Sequence, residues 1–305
     1  MFKHLLIPLD GSRLAESALL PAVYLAQALN AAVTLLHIIE QDAPRQVHHE
    51  PHLTGPVEAQ QYLDAVAGRT FPPGISVRRH VHTIHVSDVA RSIAGHTDEL
   101  GPDLIVMCAH GRSGPRDWLV GNIAQQIIGM GTTPVLLVRS PQGAAPPAFS
   151  CRTLMVPLDG DPAHEQVLPI AAALAACCAA RLHLLMVIPT LDTLSGEKAA
   201  AAMLMPQTMN ALLELNQQNA DEYLRGHLPP LHGAGLTATS EVVRGDPATG
   251  IMEAAKRAAA DVIVLGTHRK AGLGAFWAGS VAPKVAGRST LPLLLMPLPK
   301  AKTGD

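Results

Sequence analysis

Leu6-Ile7-Pro8-Leu9-Asp10-Gly11 returns further along the chain as Met155-Val156-Pro157-Leu158-Asp159-Gly160. A short apolar run that stops at Asp-Gly reads as a buried strand running into a turn. Outward from this pair, Leu35-Leu36-His37-Ile38-Ile39 returns as Leu184-Leu185-Met186-Val187-Ile188 with the same spacing. Three later segments return with a larger one. Asp103-Leu104-Ile105-Val106-Met107 becomes Asp261-Val262-Ile263-Val264-Leu265, and Gly121-Asn122-Ile123-Ala124 becomes Gly279-Ser280-Val281-Ala282. Pro134-Val135-Leu136-Leu137-Val138 becomes Pro292-Leu293-Leu294-Leu295-Met296. The chain is therefore one pattern written twice, with a net insertion in the second copy between its second and fourth strands.

Two copies in 305 residues imply two domains. The stretch 141–150, Pro-Gln-Gly-Ala-Ala-Pro-Pro-Ala-Phe-Ser, has linker composition. The expected domains are 1–140 and 151–305. In the first, strands are predicted at 5–9, 33–39, 104–107 and 135–138, and helices at 14–29, 86–97 and 121–129. Strands that alternate with helices imply right-handed βαβ units and a parallel sheet. The fold class is α/β, with two tandem, open-twisted, Rossmann-like parallel-sheet domains. Five strands are expected in each, related by a pseudo-two-fold axis. Residues 40–56 carry three prolines and His48, His49 and His52, and are read as a mobile loop. The longer region 190–225 of the second copy is predicted to hold a helix over 206–224.

Composition narrows the function. Hydrophobic residues make up 48% and aromatics only 3%, so the cores are assembled from Ala, Val, Leu and Ile, which lets helices lie close to a sheet. A net charge of −2 supplies no overall basic face for nucleic acid. Cys108, Cys151, Cys177 and Cys178 form no CxxC pair and read as thiols of a reducing compartment. Cys177 and Cys178, in an Ala-rich helix, are expected in the core. The apolar start Leu-Leu-Ile is too short for a signal peptide, and the apolar run 168–180 is too short to span a bilayer. A cytoplasmic protein without a membrane partner is expected.

On an open parallel sheet, ligands bind outside the carboxyl ends of the strands. Asp10 and Asp159 end the first strand of each copy. The loop after the fourth strand reads Cys108-Ala-His-Gly111-Arg112-Ser-Gly114 and on to Gly121-Asn122 in the first copy. In the second it reads Gly266-Thr-His-Arg269-Lys270-Ala-Gly272 and on to Gly279-Ser280. Glycines let backbone approach a phosphate, and a helix N-terminus offers it free N–H groups.

This spacing, G-x2-G-x9-G-[S/T] behind an Asp-terminated strand, resembles the ATP-binding universal stress proteins, and the resemblance covers nearly the whole chain. It implies an adenine-nucleotide α-hydrolase-like fold that binds ATP, with or without Mg²⁺. The implied contacts in the first copy are Pro8, Asp10, Ile38, Cys108, Gly111, Arg112, Gly121, Asn122 and Ile123. In the second they are Pro157, Asp159, Val187, Gly266, Arg269, Gly279, Ser280 and Val281. Asp10 and Asp159 would hold the adenosine end, and Ile38 and Val187 would face adenine. Cys108 and Asn122 depart from the pattern in the first copy. Arg269 replaces a glycine in the second, so the first is expected to be the better site. The resemblance also implies pairing of the last strands, which makes an intramolecular pseudo-dimer of the two domains and leaves a homodimer of chains optional.

Plainer readings stand beside these. Asp10 and Asp159 also suit the turn itself, and the glycines suit turn chemistry alone. His110 and His268 recur in the loop without a partner carboxylate or nucleophile, so no catalytic residue is assigned. His48, His49 and His52 lack the preorganisation of a zinc site, and no metal site is assigned. Trp118, Phe276 and Trp277 read as packing or interface residues rather than base platforms. No S-G-G-x-D-S, H-I-G-H or G-x-G-x-x-G follows the first strand, and no Walker lysine is evident. The expected role is a stress-response nucleotide sensor with at most slow ATP hydrolysis. The alternative is a nucleotide-independent interaction module of the same fold.

Overall fold

The computed structural model describes residues 2–48, 50–109, 122–139, 148–194, 200, 203–268 and 281–298. The chain packs as two units. The first contains β1 (His4–Pro8), β2 (Ala32–Glu40), the two-residue partners β3 (Gln46–Val47) and β4 (Glu50–Pro51), β5 (Val77–Val86), β6 (Leu104–Cys108) and β7 (Val135–Val138). The second contains β8 (Thr153–Leu158), β9 (Arg181–Ile188), β10 (Ala238–Arg244) and β11 (Val262–His268). β12 (Leu293–Leu298) comes from the second sequence repeat but packs with the first unit.

In the first unit the order is β5-β2-β1-β6-β7, all parallel. β12 adds to β7 antiparallel, with Leu293 opposite Leu137 and Leu295 opposite Val135. In the second unit the order is β10-β9-β8-β11, again parallel. The α/β class and the parallel sheets of the sequence reading are thus observed. Among the described residues, β12 packs with the first unit and leaves the second with four strands.

The central strands form because both of their faces are covered. Leu5, Leu6 and Ile7 are fully buried, as are Leu154, Met155 and Val156 in the second unit. Burying each such side chain contributes roughly 1.5–3 kcal/mol. One acidic residue per unit locks the entry to this layer. Asp103 accepts from the amides of Lys3 (2.6 Å) and His4 (3.0 Å), and Asp261 accepts from those of Arg152 (2.8 Å) and Thr153 (2.9 Å). Their recurrence in the sequence is therefore structural, at the amino ends of the strands. Helices cover the sheets: α1 (Leu19–Leu29), α2 (Pro56–Thr70), α3 (Val89–Leu100) and α4 (Asn122–Met130) in the first unit. The second has α5 (Pro162–Glu165), α6 (Val167–Cys178), α7 (Pro206–Gly226), α8 (Leu228–Gly233), α9 (Pro247–Arg257) and α10 (Val281–Arg288). α9 lies so close to β9 that a Cβ on Gly250 would sit 2.9 Å from Val187 Cγ1.

Four expectations need correction. The helix read over 86–97 begins at Val89, because Val86 still belongs to β5 and the carboxylate of Asp88 caps the helix by accepting from the Arg91 amide at 2.9 Å. α2 was not expected. Its Pro56 occupies the first helical turn, where a proline forfeits no hydrogen bond. Residues 40–56 are not a free loop, since β3 pairs with β4 and the segment is tied to the end of β1. Cys177 is exposed and Cys178 half-buried, because the end of α6 reaches the surface. Among the described residues no helix is long and apolar enough to cross a membrane.

Candidate functional site

The chain leaves β1 toward β2 on one side and reaches β6 on the other, so the sheet order reverses between β1 and β6. The same reversal falls between β8 and β11 in the second unit. Such a switch point opens a crevice at the carboxyl ends of the strands. Asp10 and Asp159 stand there, each one residue past a buried leucine.

Both aspartates first serve their own turn. Asp10 Oδ1 accepts from the Ser12 amide (2.9 Å) and hydroxyl (2.6 Å), and Ser12 Oγ in turn accepts from the Ala15 amide (3.1 Å). Asp159 Oδ1 accepts from the Asp161 amide at 3.1 Å. Gly11 (φ +91°) and Gly160 (φ +83°) take the left-handed backbone that these turns require. The turn reading is therefore part of the structure. It engages Oδ1 of each carboxylate.

A histidine faces each aspartate. In the second unit His164 Nδ1 donates to Asp159 Oδ1 at 2.8 Å. That hydrogen bond raises the His164 pKa above its ordinary value. Burial works to raise the Asp159 pKa, but the bonds from His164 and the Asp161 amide outweigh it and hold the carboxyl below the usual range. In the first unit His48 Nε2 lies 3.9 Å from Asp10 Oδ2.

His48 belongs to a strap that covers the first site. From Glu40 the chain crosses the end of β1 and reaches α2. Glu50 accepts from the Arg13 amide at 2.6 Å, and His52 is held between Pro44 O (3.2 Å) and Glu40 (4.0 Å). The buried His37 ring links Leu9 O (2.8 Å) to Leu53 O (3.3 Å). A Cβ on Gly11 would meet the Leu53 side chain at 2.9 Å. The far end of the strap is pinned where Glu58 Oε1 accepts from the Gly55 amide at 2.8 Å. Among the described residues, a Cβ on the equivalent Gly160 of the second unit would meet only Met186 Cε, at 3.9 Å. The carboxylate of Asp159 is 60% exposed, against 32% for Asp10. Among the described residues no group of three or more His, Cys, Asp or Glu side chains is arranged to hold a metal ion.

The other sequence-marked residues fall as follows. Pro8 ends β1, and Pro157 is the penultimate residue of β8. Ile38 is buried in β2 just before an irregularity in its pairing with β5. Val187 packs against Gly250. Cys108 ends β6, buried. Gly266 lies inside β11 rather than beyond it. Ile123 and Val281 sit in the first turns of α4 and α10. Asn122 opens α4. Gly111, Arg112, Gly121, Arg269, Gly279 and Ser280 lie outside the described residues. Arg139 was not marked in the sequence. It follows β7, beside Cys108, where burial lowers the guanidinium pKa and the Cys108 side chain opposes that. A lone Arg after an apolar strand has no repeat partner, so no sequence signal set it apart.

The two units define a tandem, doubly wound α/β protein with a switch point in each unit. Solved structures share that fold. A functionally unknown protein from Pseudomonas aeruginosa PAO1 aligns over 97% of this chain and 93% of its own at a TM-score of 0.66 and 17% identity. A universal stress protein from Archaeoglobus fulgidus aligns over 97% and 96% at a TM-score of 0.63 and 14% identity.

The chain belongs to the universal stress protein family, whose model matches residues 1–139 and again 151–297. Universal stress protein YxiE of Bacillus subtilis is 28% identical over 152 residues, which is 46% of this chain and all of that protein. Universal stress protein Sll1654 of Synechocystis is 29% identical over 139 residues, covering 45% and 86%.

Proposed function

We propose that the chain binds an adenine nucleotide, ATP, at the carboxyl ends of its strands, and acts as a cytoplasmic stress-response sensor rather than an enzyme. The observation that carries this reading is the recurrence, at both switch points, of an Asp–Gly turn just past the carboxyl end of the first strand. An ionised carboxylate there has the acceptor capacity to take hydrogen bonds from ribose hydroxyls. The glycines in the sequence after β6 and β11 suit amide contacts to the phosphates, and Arg139 adds a cation near Cys108. Mg²⁺, where it takes part, would be bound through the phosphates. The domains are 1–140 and 151–305, joined by the linker 141–150.

The two sites differ in kind. The preference for the first repeat, based on its glycine at position 111, is a preference for a site whose Asp10 lies under the strap. Asp159 is more open but carries His164. Calorimetric titration of ATP into the full chain separates them. Asp10→Ala is expected to abolish the tighter binding and Asp159→Ala the weaker. An unchanged isotherm in both variants would place the nucleotide elsewhere. The absence of binding to folded wild type at millimolar ATP would favour a nucleotide-independent interaction module.

A further inference from the structure

The cysteines of the second unit have no role in nucleotide binding, and two of them meet. Cys151 precedes β8 and is fully buried, whereas Cys178 ends α6 and is half-buried. The fold brings them together through the turn between α6 and β9. Ala179 adopts a left-handed backbone (φ 51°), the Ala180 amide donates back to Ala175 O at 2.8 Å, and the Arg181 amide donates to Arg152 O at 2.9 Å. Thr153 and Arg181 are therefore cross-strand partners, and Arg181 Nε donates to Thr153 Oγ1 at 2.9 Å. Cys151 lies two residues before Thr153 and Cys178 three before Arg181, so the backbone register sets the two cysteines side by side, and the Cys178 side chain acts on the Cys151 thiol. Cys177, the neighbour in sequence, is exposed at the surface.

We propose that Cys151 and Cys178 are a thiol pair that a hydroperoxide converts to an intramolecular disulfide, with Cys178 as the oxidised thiol and Cys151 as the resolving one. Exposure orders the steps. Peroxide reaches the half-buried Cys178 sulfur, whose thiolate attacks the near peroxide oxygen; the O–O bond breaks, and the thiol becomes a sulfenic acid as the peroxide is reduced to water or an alcohol. The Cys151 sulfur then attacks the Cys178 sulfur. The S–O bond breaks, the hydroxyl leaves with the Cys151 proton as a second water, and the S–S bond forms. The hydrogen bond to Cys178, followed by burial, raises the Cys151 pKa, which suits it to waiting as a protonated thiol rather than reacting first. The pair lies at the amino ends of β8 and β9, whereas Asp159 follows the carboxyl end of β8, so oxidation is a separate input to the second unit.

The test is peptide mapping of the full chain after treatment with hydrogen peroxide, with free thiols blocked before digestion. The expected result is a peptide joining Cys151 to Cys178, lighter by two hydrogens and released by a thiol reductant. Cys177→Ser should retain this link and Cys178→Ser should lose it. A wild-type chain whose Cys151 and Cys178 are both still alkylated after peroxide would overturn the proposal, and so would a link from Cys151 to Cys177. Both results are read on the wild type, so they do not depend on the folding of a variant.

Discussion

Asp10 and Asp159 hold equivalent places in the two repeats, yet their neighbours give them different chemistry. His164 comes from the helical turn just after its own aspartate, whereas His48 is brought by a distant strap. Elsewhere in the first unit, at His80 and His82, histidine protonation acts in the opposite direction to His164. The pKa of His164 is raised by Asp159, so the folded second unit holds this proton more tightly than the unfolded chain does. That stabilisation is fully present below the ordinary histidine pKa of about 6.5 and is lost as pH rises through the higher folded value. In the first unit, His80 and His82 lie beside His96, whose Nε2 is 3.1 Å from His82 Nδ1 and whose Nδ1 is 2.9 Å from Glu99. Burial, then the charge of His96, lowers the pKa of both, against the opposing field of Glu99. There the unfolded chain takes up protons more readily, so stability is lost as pH falls below about 6.5. Urea unfolding between about pH 5 and pH 8 should show His164→Gln losing its greatest stability at the acid end. His82→Gln should weaken the acid sensitivity of the first unit. A His164→Gln midpoint that falls equally at both ends would refute the sign assigned to the Asp159 pair.

At the scale of elements, the strap from Glu40 to Gly55 distinguishes the two sites. Its hold on the end of β1 rests on the Leu53 contact with Gly11, the Glu50 carboxylate on the Arg13 amide, and the two carbonyl contacts of His37. A ligand at Asp10 would lie against this strap, so loosening the strap is expected to strengthen nucleotide binding in the first unit. Leu53→Ala and Glu50→Gln are each expected to tighten ATP binding about 3- to 10-fold, since an exposed hydrogen bond or a small apolar contact is worth about 0.5–1.5 kcal/mol. Calorimetry on the Asp159→Ala background checks this, and weaker binding in both variants would make the strap part of the site rather than its cover. The sequence did not reveal the strap for a physical reason. Pro44, Pro51 and Pro56 look like breakers in a row, yet Pro56 starts α2 and Pro51 pairs in a two-residue ladder with no central strand to disrupt. β5 escaped notice similarly. Its Arg-Arg-His-Val-His-Thr-Ile-His run carries charge on a half-exposed edge strand, where burial imposes little apolar pattern. By contrast, 5–9 and 104–107 were legible because strands covered on both faces are apolar throughout.

At the scale of the whole molecule, one pattern used twice has diverged in its details while keeping its switch points. The strand order, the Asp clamps at 103 and 261, the helix caps at Asp88 and Asp246 and the Asp–Gly turns all recur. The position of the candidate site was legible because it depends on these repeated features. The His164 contact, the strap and Arg139 were not, because each occurs once. Hydrogen–deuterium exchange of the full chain, with and without ATP and Mg²⁺, is the most direct measurement of the central claim. Slower exchange is expected at the ends of β1 and β8 around Gly11 and Gly160, after β2 and β9, and in the glycine loops that precede α4 and α10. Protection confined to the amino ends of the strands, or none at saturating ATP, would contradict the account.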